Sequence, residues 1–187
     1  NVGTSTVTID ADILLGVLTT KAGDGGGNGV GATVNTTLGN ASGDAINLTG
    51  LVVSSGAGAA ANGGANLTTI TGTLTLGATG LDINAGLGDA TFDGGAVKLL
   101  ISQAVTSFSG DTTIDGGSAD TATTGDGGAA ELELDGNFSG TGAFAVTGGA
   151  RLSGNGAGDG GAATLNADGT FTTTKAVTFT GGAAGTG

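Results

Sequence analysis

The sequence contains no proline, cysteine, methionine, tryptophan, tyrosine or histidine, and each absence removes a class of protein. Without cysteine there is no disulfide framework and no thiolate metal centre. Without histidine, cysteine or tyrosine the common general bases and nucleophiles are missing, and Arg151 is the single arginine that could steady an anion. The chain therefore reads as a non-enzyme. Basic residues are scarce: Lys21, Lys98, Arg151 and Lys175 stand against 16 acidic side chains, for a net charge of −12. Nucleic acid and anionic lipid both require a basic footprint, so neither is expected as a partner. The longest apolar run, residues 13–18, is interrupted by Gly16 and falls far short of the roughly 18 residues of a membrane span. Membrane insertion is accordingly not expected. The first residue is Asn1, as in a processed protein or a piece of a longer one.

The missing proline also bears on what is abundant. Glycine supplies 43 of 187 residues, a level that in company with proline reads as low-complexity disorder. Here the glycines separate segments of strict alternation, such as Glu131-Leu132-Glu133-Leu134 and Thr71-Gly72-Thr73-Leu74-Thr75-Leu76. That period of two marks half-buried strands. No stretch carries helical periodicity with caps, so no helix is predicted.

A Gly-Ala pair recurs through the chain. Ala32, Ala65, Ala96, Ala129 and Ala162 each follow a glycine, at successive intervals of 33, 31, 33 and 33 residues. A period in this range identifies a stacked array. With each Ala as position one, position eight reads Gly39, Gly72, Gln103, Gly136 and Gly169, and position ten reads Ala41, Leu74, Val105, Phe138 and Phe171. Small residues flank position ten on both sides, the outward neighbours of an inward residue. A further strand precedes position eight (Leu99/Ile101, Leu132/Leu134). Another follows, through Leu48, Leu81/Ile83, Thr112/Ile114, Phe144/Val146 and Val177/Phe179. The pattern predicts an all-β fold: a parallel β-helix, or β-solenoid, of about 32–33 residues per coil. Each coil holds three short strands and a projecting Gly-rich loop. About 22 residues suit a small three-strand coil at roughly 3.3 Å per residue; the loops fall at 21–30, 54–63, 86–94, 116–127 and 153–160. The whole chain forms one domain of five to six coils, with units at approximately 1–31, 32–64, 65–95, 96–128, 129–161 and 162–187. At about 4.8 Å per coil the rod is roughly 25–30 Å long.

Few side chains suggest chemistry. Asn62, Asp93, Asp126 and Asp159, each three residues before a unit's Ala, would stack as a ladder. Such a ladder could hold Ca²⁺, since hard oxygen ligands suit it, or could serve as plain turn chemistry, with Asp capping its own backbone beside glycine. Phe138 over Phe171 reads as an aromatic stack in the core rather than a ligand platform. The Thr-x-Thr pairs at 71–75, 170–172 and 178–180 are not in register over enough coils for an ice-binding face. Of the carboxylate pairs, Asp111/Asp115 and Glu131/Glu133, the second alternates with Leu132 and Leu134 and reads as a solvated face. Asn35, Asn40, Asn47, Asn66 and Asn137 open glycosylation sequons, usable only where the host carries out that modification.

Two segments carry a family resemblance. Residues 158–169 (Gly-Asp-Gly-Gly-Ala-Ala-Thr-Leu-Asn-Ala-Asp-Gly) and residues 11–20 with the Gly-rich loop after them resemble the repeats of filamentous-haemagglutinin-like proteins and other large bacterial surface β-helix proteins. The resemblance is one of repeat style over most of the chain. It implies a right-handed β-helix, secretion, and an adhesive or structural role at the cell surface. The expected function is a structural subunit or repeat segment of an extracellular filament, fibre or surface layer, built by stacking solenoid ends. Its partners would be copies of itself or flanking repeats. The alternative is the stalk of a secreted adhesin that meets a surface polysaccharide or host receptor; an ice-binding or calcium-binding solenoid is the remaining reading.

Overall fold

The computed structural model describes residues 3–41, 43–89, 91–103, 105–119, 124–151 and 158–185. Six alternating segments, β1 (Thr4–Ile9), β3 (Thr33–Leu38), β5 (Asn66–Ile70), β7 (Val97–Ile101), β10 (Ala130–Leu134) and β13 (Ala163–Ala167), pair in parallel in that order and open six successive coils. The rest of each coil joins a second parallel sheet of nine strands. In coils one to three it is a single long strand: β2 (Ile13–Lys21), β4 (Ala45–Ser54) and β6 (Thr73–Asn84). In coils four to six it is two short ones: β8 (Val105–Phe108) with β9 (Thr112–Asp115), β11 (Phe138–Gly140) with β12 (Phe144–Thr147), and β14 (Phe171–Thr173) with β15 (Val177–Thr180). The chain is thus an all-β parallel β-solenoid of about five turns, with no helix among the described residues.

β6 is where the two forms meet. One of its edges pairs with β4 and the other with both β8 and β9. The cause lies in corner length. Five residues separate the inward pairs Ile13/Leu18 and Ile46/Leu51, whereas seven separate Leu74/Leu81 and Val105/Thr112. The extra residues of β6 surround Gly80, whose φ of +78° suits glycine and turns the chain sharply.

Inward residues stack in columns, one residue per coil. In the first sheet Val7, Thr36, Thr68, Leu99, Leu132 and Leu165 form one column, and Ile9, Leu38, Ile70, Ile101, Leu134 and Ala167 another. In the second sheet Ile13, Ile46, Leu74, Val105, Phe138 and Phe171 face them. The predicted Phe138–Phe171 stack is present, with centroids 4.8 Å apart and planes 14° from parallel. Phe108 and Phe144 pack on Phe138 at 5.3 and 4.9 Å, so four aromatic rings fill the interior of coils four to six.

The second coil departs from the sequence frame. Val34 pairs with Asn66, which puts Thr33 rather than Ala32 in the alanine column. Eight residues separate Leu38 from Ile46, against four between Ile70 and Leu74, so Ile46 and not Ala41 is the inward residue of that coil. The four additional residues form a tight turn in which the Asp44 carboxylate accepts the Asn40 and Ala41 N–H groups at 2.8 and 3.1 Å. Leu51, not Leu48, heads the third inward column in that coil.

Candidate functional site

The loops begin with backbone packed on backbone. The outgoing arm of each loop carries Gly56, Gly86, Gly117, Gly149 or Gly182, and the returning arm carries Ala32, Gly64, Gly95, Gly128 or Gly161. The two series interleave into one column of N–H···O bonds: Gly182 donates to Gly161, Gly161 to Gly149, Gly149 to Gly128, Gly128 to Gly117 and Gly117 to Gly95, all at 2.8–2.9 Å. The column continues through Gly86, Gly64 and Gly56 to the Ala32 carbonyl. A Cβ at Gly117 would overlap the Gly86 carbonyl oxygen, and one at Gly128 the Gly95 oxygen. From Gly64 onward, the recurring glycine before each alanine is therefore a steric requirement of two arms sharing one column, while in coil two Ala32 itself holds that place. The alanine that follows lies on the surface from Ala65 onward. Of the expected loops, residues 90, 120–123 and 153–157 lie outside the described residues.

The acidic ladder forms at the outer margin of the returning arm. The backbone N–H of Asp93 donates to Asn62 Oδ1 at 3.2 Å, that of Asp126 to Asp93 Oδ1 at 2.9 Å, and that of Asp159 to Asp126 Oδ1 at 2.7 Å. Gly31, Gly63, Gly94 and Gly127 donate to the backbone carbonyls of the same four residues. Each side-chain oxygen thus replaces a carbonyl that the ladder lacks at this corner. The device recurs elsewhere: Asp12 accepts from Ala45, Asp24 from Ala57, Asp111 from Ala143 and Asn137 from Thr170, at 2.8–2.9 Å. Much of the acidity is thereby used as acceptors that tie one coil to the next. Among the described residues, no three acidic side chains converge as a metal cage.

The carboxylate pairs separate. Lys98 lies across Glu131 and Glu133 of the next coil at 3.4 and 2.5 Å, and Glu131 also accepts from Asn166 at 2.9 Å. The hydrogen bond to Glu133 raises the Lys98 pKa, with Glu131 reinforcing it against a smaller opposing effect of burial. Asp111 is capped by the Ala143 N–H and lies 3.8 Å from Lys175. Asp115 sits instead in an open groove of about 500 Å³, with Asn84, Leu87, Ser118 and Thr147. Partial burial pushes its carboxyl above the ordinary aspartate value; the Asp82 charge adds to this and a hydrogen bond from Thr147 opposes it.

The two ends of the rod differ from its middle. On the first coil Leu14, Leu15 and Val17 are 85%, 45% and 49% exposed. On the last, Val177 is exposed, and Leu165, Phe171 and Phe179 are only half-buried. Among the described residues, β1 and β2 have a neighbour on one edge only, as do β13, β14 and β15. The inward residues of these five strands carry no charge. Sequence reasoning did not identify which side chains the first and last coils expose. No helix of the described residues is long and apolar enough to cross a membrane. Comparison with family models, with curated proteins and with solved structures finds no match to this chain.

Proposed function

We propose that this chain is a structural element of an extracellular filament, fibre or surface layer, which builds by stacking the ends of its solenoid. The observation that carries this reading is the pair of open coils. Among the described residues, each has strands paired on one edge only, beside inward apolar side chains that are partly exposed (Val7 and Ile9 in the first coil; Leu165, Phe171 and Val177 in the last), and these strands hold no proline or inward charge of the kind that blunts an exposed edge. Stacking a further coil on either end would pair the edge and bury the column together. No catalytic role is assigned: the acidic groups engaged above serve coil-to-coil bonds, and the alternative of a filamentous-haemagglutinin-like adhesin stalk rests on repeat style alone. Negative-stain electron microscopy of the purified 187-residue chain tests the reading. Rods of one width and many lengths are expected, and isolated particles of single-chain size at every concentration would refute it.

A further inference from the structure

We infer that Asn40 is the position at which the folded chain accepts an N-linked glycan, and that the fold closes the other sequons. The Asn-x-Ser/Thr triplets begin at Asn35, Asn40, Asn47, Asn66 and Asn137. A transferase must reach the side-chain amide and hold the backbone around it, which calls for a surface loop.

Four of the triplets lie on paired strands or at a strand start. Asn66 is 2% exposed; its amide nitrogen donates to the Val53 and Asn84 carbonyls, and the Thr68 hydroxyl of the same triplet donates to its Oδ1. A sugar there would displace the interior of the third coil. Asn35 stands in β3 between Thr6 and Leu67 of the adjacent coils, and Asn47 stands in β4 between Leu14 and Thr75. Neighbours in such a column are about 4.8 Å apart. Both strands pair on both edges, so neither triplet lifts out without breaking two ladders. Asn137 immediately precedes β11; its Oδ1 holds the Thr170 N–H at 2.9 Å, and the next residue is the buried Phe138.

Asn40 lies instead in the corner that breaks the repeat. The step from the first sheet to the second takes eight residues there, Leu38 to Ile46, and four in every other coil, from Ile9 to Ile13 through Ala167 to Phe171. Asn40 is exposed, and among the described residues nothing bonds its side-chain amide. Its backbone is tied within the turn itself: Asp44 accepts the Asn40 and Ala41 N–H groups, and the Asp44 N–H donates to the Ala41 carbonyl at 3.1 Å. Local bonds of this kind open at less cost than a ladder shared with two neighbouring coils. Ser42, the hydroxyl residue of the triplet, lies outside the described residues.

In the reaction Asn40 Nδ2 attacks the anomeric carbon of a glycan carried on a lipid diphosphate. A C–N bond forms, the C–O bond to the diphosphate breaks with its electron pair, and the amide nitrogen gives up one proton. End stacking is not required. The test incubates the purified, folded chain with an oligosaccharyltransferase and a lipid-linked oligosaccharide of known mass, then reads intact mass and mapped peptides. One glycan per chain is expected, on Asn40, with complete loss in Asn40→Gln and none in Asn137→Gln. A synthetic peptide of residues 63–71, which carries the Asn66 triplet without the fold, should be modified; its refusal would overturn the claim that the fold closes that triplet. A folded chain that stays unmodified, or one that carries glycan on Asn35, Asn47, Asn66 or Asn137, would overturn the assignment of Asn40.

Discussion

Coils one to three and coils four to six share one backbone plan and hold it together differently. The first three run long strands in the second sheet around an interior with polar members. Asn66 is buried and donates to the Val53 and Asn84 carbonyls at 3.1 Å, and Thr68 donates to Asn66 Oδ1 at 3.0 Å. Among the described residues, the buried Thr36 and Thr20 hydroxyls, and that of Thr112 in coil four, have no hydrogen-bond partner. The last three coils break that strand and fill the space with four phenylalanine rings. In the shared column Thr36 and Thr68 give way to Leu99 and Leu132. The comparison separates what defines the coil from what stabilises it. The interior changes from aliphatic with polar members to largely aromatic, and the second sheet from one strand to two, while the interleaved glycine column runs through both halves.

The largest expected effect is therefore on that column. Gly128→Ala should cost about 3 kcal/mol or more, because the new methyl meets a backbone carbonyl that cannot yield. Ala129→Gly, one residue away and exposed, should cost about 1 kcal/mol or less. Denaturant melts of the two variants check the contrast. Next, Phe138→Ala should lose about 3–5 kcal/mol, and Ile46→Ala, at the same place in coil two, about 2–4 kcal/mol. Equal losses would remove the distinction between aromatic and aliphatic halves. Thr36→Val should raise stability by about 1 kcal/mol, since it deletes a buried hydroxyl that none of the described residues satisfies. The gain should be absent for Thr68→Val, which breaks the bond to Asn66.

Two smaller effects concern the acidic groups. Asp126→Ala should cost about 1 kcal/mol and Asp126→Asn less, because the amide oxygen can still accept the Asp159 N–H. A thermal midpoint unchanged by a chelator is expected if the ladder acts through these bonds alone; a drop of several degrees would instead give calcium a structural role. Asp115 has a raised carboxyl pKa, so its charged form opposes folding and its contribution to stability is lost as pH rises through that value. Asp115→Asn should accordingly melt slightly higher than the parent at neutral pH, and the difference should vanish in acid, where the parent carboxyl is protonated. A constant difference across that range would contradict the assignment.

The fold was legible in the sequence because its signals are local and repeat. The Gly-Ala period gave the coil, alternation gave the inward faces, and Phe138, Phe171 and the column of Asn62, Asp93, Asp126 and Asp159 stack as the period requires. The second coil misled because the turn at Asp44 inserts four residues that carry no mark of their own: Ala41 fits the apolar pattern as well as Ile46 does. Merging of two strands into β2, β4 and β6 was illegible for a different reason. It depends on how sharply a corner bends, which Gly50 and Gly80 permit but do not dictate. The glycine pairs at 116–117, 148–149 and 181–182 were visible as turn signals. Their second role, making room for another arm's carbonyl, is a relation between distant residues that composition does not encode.

The proposed function turns on whether chains associate through their terminal coils. Sedimentation velocity over a hundredfold range of concentration, on the parent and on Leu165→Lys, tests it most directly. Leu165 is inward in the last coil and only half-buried, so a lysine there should leave folding intact and place a charge in the path of the next copy. The parent should shift to larger species as concentration rises, while Leu165→Lys should stay at the mass of one chain. A parent that sediments as a single chain throughout, or a variant that assembles as the parent does, would contradict the account.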